Sequence, residues 1–200
     1  MILVTGGTGL VGSHLLYHLT LKNDVIKAIY RTEKSLETVQ KVFSYFTEDV
    51  NSLFSKIDWI KADITNTPSL EAAFEEVDFV YHAAAVVSFD PKKYKTMRQV
   101  NINGTANIVN FCIDKKVKKL CFISSIAAIG ESIDSTTFTE ENEWNPGSKN
   151  NDYSITKYGA EMEVWRASQE GVDIVIVNPG VILGAGFWDT NTGELFTKIY

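Results

Sequence analysis

Thr5-Gly6-Gly7-Thr8-Gly9-Leu10-Val11-Gly12 constrains this chain more than any other stretch. It directly follows a short apolar and β-branched run, Ile2–Thr5, and opens an amphipathic stretch, so the glycines stand at a strand-to-helix turn. In such a turn Gly6 permits the tight reversal, Gly9 lets backbone approach a pyrophosphate, and Gly12 lets the helix pack closely on the sheet. The phosphates would then meet the free N–H groups and the positive end of the helix dipole. A lone glycine triplet is weak evidence, but the strand–turn–helix context supplies the missing specificity. The loop is expected to bind a dinucleotide, with Thr8, Leu10 and Val11 among its contacts.

The rest of the chain repeats the same alternation. Ile2–Thr5, Val25–Tyr30, Asp58–Ala62, Phe79–His82, Lys119–Ser124 and Asp173–Asn178 read as strands. They are nearly continuous apolar runs, as in a parallel sheet covered on both faces. Val11–Leu21, Leu36–Phe46, Ser69–Glu75, Lys92–Asp114 and Ile155–Glu170 read as helices. This order predicts an α/β fold, a Rossmann-type doubly wound parallel sheet with helices on both faces. Glu131–Asp152 reads as one long loop, and Glu194–Tyr200 as the beginning of a helix.

Charge excludes one class of partner. With 19 basic and 25 acidic residues the net charge is −6, which does not suit a polyanion such as nucleic acid, although a few local donors can still hold one phosphorylated cofactor. No apolar run approaches the ~20 residues of a membrane helix, so no membrane partner is expected. The chain opens on MILVTGG with no basic segment ahead of an apolar one, and its two cysteines, Cys112 and Cys121, lack metal or CxxC spacing. Both features point to a cytoplasmic protein with reduced thiols and no metal site.

The end of the second strand separates the two nicotinamide dinucleotides. An acidic residue there would bond the adenosine ribose of NAD, whereas an arginine accommodates the 2′-phosphate of NADP. The sequence has Tyr30-Arg31-Thr32-Glu33, with no acid at the strand end. NADP is therefore favoured and NAD is the alternative; Arg31 could otherwise stack on adenine or stay solvated. Asp63-Ile64 closes the third strand, where the carboxylate suits either the adenine amino group or a local turn.

Tyr153-Ser154-Ile155-Thr156-Lys157 puts a phenol and an ammonium on one helix face. A free phenol titrates near 10, so it needs a nearby cation to act as an acid–base group at neutral pH. By itself the pattern also describes a surface pair. Ser124-Ser125, however, ends the fifth strand, and the carboxyl ends of strands border the ligand crevice of a doubly wound sheet. A hydroxyl there can polarise a carbonyl.

Taken together, these segments resemble the extended (atypical) short-chain dehydrogenases/reductases, the NAD(P)-dependent epimerase/dehydratase family. TGGTGLVG resembles the family's TGxxGxxG, ADIT its adenine-contact site, YHAAA its HxAA segment and VNINGT its VNxxGT helix. FISSIAAIG resembles the serine strand, YSITK the YxxxK, and NPGVILGAG the segment after strand six. The resemblance implies Ser125, Tyr153, Lys157 and Asn101 as the catalytic set. Tyr153 would be the acid–base group, and Lys157 would bind the nicotinamide ribose and lower the phenol's pKa. Asn101 would order the site, although it also suits a helix kink or cap. His82, Ala83 and Ala84 would lie along the cofactor, mainly through backbone, and Asn178, Pro179 and Gly180 would flank the nicotinamide. TEENEWNP, with Glu140 to Trp144, is similar to the loop of the dihydroflavonol-reductase-like branch and tilts the reading towards reduction of a small carbonyl or oxidation of an alcohol. An NAD-dependent nucleotide-sugar epimerase or dehydratase is the alternative, and a non-catalytic dinucleotide-binding sensor or partner-binding module is the alternative from another class.

The wide apolar faces of 92–114 and 155–170 suit plain core or, as the resemblance implies, the paired helices of a homodimer. His14 and His18 have Leu15 where a zinc protease carries its glutamate, so they read as ordinary polar positions. Lys115–Lys119 reads as a solvated basic turn, and the glycosylation pattern at Asn103 falls inside VNINGT. At roughly 150 residues per domain, 200 residues make one large domain and a stub. We expect residues 1–183 to form the NAD(P)-binding domain. Residues 184–200 would begin a truncated or minimal substrate region, because relatives run on the order of 300 residues and carry a C-terminal substrate domain that is largely absent here.

Overall fold

A computed structural model of the chain describes residues 1–23, 25–130 and 137–188. The helix expected at Glu194–Tyr200, most of the 184–200 region and the first part of the long loop lie outside the described residues. Six parallel strands, β1 (Ile2–Thr5), β2 (Ile26–Tyr30), β3 (Ile57–Lys61), β4 (Phe79–His82), β5 (Lys119–Ile123) and β6 (Asp173–Val177), run in the order β3-β2-β1-β4-β5-β6. The strand order reverses at β1, between β2 and β4, and such a switch point is where doubly wound sheets bind ligands. The chain divides into two compact units: Met1–Ala84 with the segment from Val181, and Ala85–Gly180.

In the first unit β1 is central, with Leu3 and Val4 fully buried between β2 and β4. Helix α1 (Leu10–Thr20) buries Leu16, and α2 (Lys34–Ser44) buries Val39, Val42 and Phe43, the three- and four-residue spacing of one helical face. A five-residue helix, α3 (Val50–Phe54), was not expected; it is too short to show periodicity, yet Phe54 packs on Trp59 at 5.5 Å between ring centroids. The expected helix at Ser69–Glu75 is broken into α4 (Thr67–Leu70) and a 3-10 turn at Ala72–Phe74. The end of that turn explains a buried lysine in β2: Lys27 Nζ donates to the Ala72 and Glu75 carbonyls at 3.3 and 2.7 Å.

In the second unit the expected helix at 92–114 is one helical run of changing pitch. Pro91–Lys93 is a 3-10 turn started by the Asp90 side chain, then come α5 (Tyr94–Met97), a π-helical segment at Arg98–Gly104 and α6 (Thr105–Asp114). Helix α7 (Asp152–Gln169) starts three residues before the expected boundary, because Asn151 Oδ1 caps the Ser154 N–H at 2.8 Å. One expectation is corrected at β6. Its residues alternate, and Val175 and Val177 are each 43% exposed, so this strand is not covered on both faces among the described residues. No helix among those residues is long and apolar enough to cross a membrane.

Candidate active site

The glycine loop takes the shape its residues permit. Gly6 has φ +69°, and a Cβ there would lie 2.5 Å from the Ala84 nitrogen. A Cβ on Gly12 would lie 2.1 Å from the Gly6 carbonyl oxygen, so both glycines are demanded by the protein's own packing. Gly9 differs. A Cβ there meets only the Gly6 oxygen, at an ordinary 3.4 Å, and the residue is exposed at the N-cap of α1. Nothing in the described fold requires a glycine at this position, whereas a phosphate approaching the helix end would. Thr8 and the first helical residues, Leu10 and Val11, are half-buried around it.

His82 is fully buried, and its Nδ1 lies 2.6 Å from Thr5 Oγ1, which ties the ends of β1 and β4 together. The side chain is thus used inside the fold, leaving backbone of Ala83 and Ala84 as what this strand end presents beside Gly6. Arg31 is exposed and lines a cavity of about 240 Å³ with Lys61, Asp63, Asn66 and Ser69. Asp63 Oδ1 accepts from the Thr65 backbone N–H at 2.8 Å and from its hydroxyl at 2.7 Å, a turn-forming arrangement. Burial raises the Asp63 pKa, but these bonds and the Arg31 charge outweigh it and hold the carboxyl below the ordinary value. Ile64 is buried in the core.

The second unit brings the expected catalytic set together. β5 ends in two serines that face opposite ways. Ser124 is 4% exposed and turned inward, whereas Ser125 stands beside the Tyr153 phenol and accepts from the Ala127 N–H at 3.1 Å. The hydroxyl beside Tyr153 is thus that of Ser125. Lys157 is 1% exposed; its Nζ donates to the Ile123 carbonyl at 2.9 Å and lies 4.4 Å from the centre of the Phe122 ring. Asn101 sits in the π-helical segment, a helical irregularity frequent at functional sites. It pairs with the Val86 backbone through both amide atoms, at 2.8 and 2.9 Å, and reaches Thr156 Oγ1 at 3.1 Å, next to Lys157. The Pro179 carbonyl accepts from the Ile126 N–H at 3.1 Å, and Gly180 packs on the Ile126 side chain.

The titration of this set differs from what the resemblance implies. Burial pushes the Tyr153 phenol above its ordinary value, and the Ser125 hydrogen bond only partly offsets this. Burial likewise pulls Lys157 down to about 8, against the opposing charge of Glu161. In the chain by itself Lys157 is committed to β5, and lowering of the phenol by its ammonium is not seen.

Sequence reasoning missed several neighbours. Phe89, 77% exposed, stands edge-on to Tyr153 at 6.1 Å, and with Ser88, Pro91 and Asn150 it lines a cavity of about 340 Å³ beside the phenol. Trp144 stacks on Tyr158 at 4.4 Å, which seats the TEENEWNP loop on α7. Glu161 carried one available signal, its place one turn after Lys157. His14, read as an ordinary polar position, holds the segment after Val181 in the first unit: its Nε2 lies 2.9 Å from the Ala185 carbonyl oxygen. Among the described residues no three His, Cys, Asp or Glu side chains gather as a metal site.

A parallel sheet with a glycine turn at its switch point, and a Ser–Tyr–Lys set at the end of its fifth strand, define a dinucleotide-binding α/β protein of the extended short-chain dehydrogenase/reductase type. The chain belongs to the male sterility protein family of NAD-binding domains, whose family model matches residues 4–198. It is 31% identical over 198 residues to a putative dihydroflavonol 4-reductase of Synechocystis sp., covering 98% of this chain and 53% of that protein. It is 30% identical over 191 residues to UDP-glucose 4-epimerase of Vibrio cholerae, covering 92% and 52%. Among solved structures it resembles the terminal R domain of the myxalamid PKS-NRPS biosynthetic pathway, with TM-score 0.82, 27% identity and coverage of 99% and 53%. It also resembles UDP-glucuronic acid 4-epimerase from Bacillus cereus in complex with NAD, with TM-score 0.78, 26% identity and coverage of 99% and 62%. The chain spans about half the length of the curated relatives it matches.

Proposed function

We propose that the protein is an NADP-dependent oxidoreductase acting on a carbonyl or hydroxyl of a small molecule. The observation that carries this reading is the Ser125 hydroxyl beside the Tyr153 phenol, with buried Lys157 one turn further along the same helix. Gly6, Gly9 and Gly12 fit the pyrophosphate of a dinucleotide, with the backbone of Ala83 and Ala84 beside Gly6; bound, the nicotinamide would supply the hydride, and Pro179 and Gly180 are the residues that would flank it. Ser125 donates to the carbonyl oxygen and polarises it. Tyr153 gives that oxygen its proton, and a phenol raised by burial stays protonated at neutral pH, as a proton donor must. Lys157 would hold the ribose hydroxyls of the bound cofactor, and Asn101 keeps the Val86 backbone and Thr156, its neighbour on the helix, in place.

The cofactor choice rests on Arg31 and Lys61, two cations lining one cavity at the ends of β2 and β3, which suits a 2′-phosphate. NADPH should bind at least about tenfold more tightly than NADH in a fluorescence titration, and Arg31→Ala should erase most of that difference. A second reading, an NAD-dependent epimerase or dehydratase, is supported by the likeness to the Vibrio cholerae enzyme. Purified protein that releases tightly held NAD on denaturation, and does not take up NADPH, would favour it. The first reading includes a cytoplasmic location, in keeping with buried Cys112 and half-buried Cys121, whose thiols burial raises, the former to about 12. It also includes a homodimer through Lys92–Asp114 and α7, supported by exposed Ile155, Met162 and Trp165 along α7.

A further inference from the structure

One carboxylate draws together the ends of β5 and β6 and the helix that carries Tyr153 and Lys157. Glu161 Oε2 accepts from the hydroxyl of Ser124 at 2.6 Å and from the side-chain amide of Asn178 at 2.9 Å. The same Asn178 amide nitrogen lies 3.2 Å from the Ser125 carbonyl oxygen, so Glu161 reaches the backbone of Ser125 through both of its partners. Its other oxygen lies 3.4 Å from Trp165 Nε1. A half-buried carboxylate with donors from two strands and its own helix is a fixed point in the second unit. We propose that Glu161 is a positioning residue for the Ser125–Tyr153–Lys157 set, acting by two means: it fixes Ser125 through Ser124 and Asn178, and it places a negative charge one turn along the helix from buried Lys157. The proposal rests on the carbonyl-oxidoreductase reading.

The surroundings of Lys157 make the second means physical. β5 offers it the Ile123 carbonyl and the Phe122 ring. The π-helical segment brings neutral Asn101 by way of Thr156, and β6 brings neutral Asn178 by way of Glu161. Its own helix carries the Tyr153 phenol, which burial keeps protonated, and the Glu161 carboxylate. Burial alone drives Lys157 towards the neutral amine, and Glu161 opposes that. Removing the charge must therefore move the lysine's titration to lower pH and leave less ammonium at neutral pH. A glutamine at this position still offers an oxygen to Ser124 and Asn178, whereas an aspartate keeps the charge.

The test uses the full chain with ¹³Cε-labelled lysine, the Lys157 resonance being identified with Lys157→Arg. Glu161→Gln should shift the Lys157 titration to lower pH, Glu161→Asp should shift it less, and Glu163→Gln should leave it unchanged. Glu163 is the control because it pairs with Arg166 at 2.9 Å on the same helix. In NADPH-dependent reduction of an aromatic aldehyde, Glu161→Gln should lower kcat about tenfold with KM little changed, move the alkaline limb of the pH profile to lower pH, and be largely rescued by aspartate. A Glu161→Gln protein that folds and keeps both the Lys157 titration and kcat would overturn the proposal, as would an equal shift in Glu163→Gln. If the wild-type chain reduces no carbonyl, the functional reading fails, while the Lys157 titration still decides the place of Glu161.

Discussion

Tyr153→Phe should lower kcat for carbonyl reduction by about 10²- to 10⁴-fold while leaving NADPH affinity and thermal stability close to wild type. The phenol stands beside Ser125 and lines the cavity bounded by Phe89, so its oxygen is lost where a carbonyl oxygen would need a proton. The ring survives in phenylalanine, and with it the edge-on contact to Phe89. The Ser125 hydroxyl retains the Ala127 N–H as a partner, so the substitution leaves no buried group wholly unsatisfied. Stopped-flow turnover together with an NADPH titration checks this. Unchanged kcat in a protein that still binds NADPH would remove Tyr153 from the chemistry.

Gly9→Ala is expected to separate folding from binding. The added Cβ meets only the Gly6 oxygen at 3.4 Å, and the residue's φ of −89° suits alanine, so the melting temperature should stay within a degree or two of wild type. NADPH affinity should fall by about tenfold or more, because the methyl group occupies the face that a pyrophosphate approaches. Gly12→Ala should behave in the opposite manner. Its Cβ would press to 2.1 Å on the Gly6 carbonyl oxygen, and the overpacking should cost about 1–3 kcal/mol of stability. Calorimetry and fluorescence titration on the two variants read both quantities. Equal affinity in Gly9→Ala and wild type would mean that Gly9 does not border a phosphate.

Much of this architecture was legible in the sequence, for particular reasons. Ile2–Thr5 and Phe79–His82 are strands over the expected residues because each is an apolar run bounded by a change of composition. The helix at 92–114 was legible because its apolar period persists through the changes of pitch, but the π-helical turn that carries Asn101 leaves no mark in that period. Helix α3 was missed because five residues are shorter than any window that shows a helical face. The exposure of Val175 and Val177 could not be read, since a β-branched run looks alike whether one face or both are covered. In the site, spacing singled out Tyr153 and Lys157, and the family resemblance added Ser125 and Asn101. Their electrostatic state was not legible: the upward shift of Tyr153 and the downward shift of Lys157 come from burial, opposed at Lys157 by the charge of Glu161, and both depend on how β5, β6 and α7 pack.

The most direct test of the central claim is the fate of the transferred hydrogen. The protein should be incubated with NADPH deuterated at the nicotinamide C4 and a panel of small aldehydes and ketones, and the products examined by mass spectrometry and NMR. The account predicts one deuterium on the carbinol carbon of the alcohol formed, with matching loss of NADPH absorbance and near-complete loss of both in Tyr153→Phe. NADPH that binds but delivers no deuterium to any carbonyl, or a Tyr153→Phe protein that delivers it as well as wild type, would contradict the account.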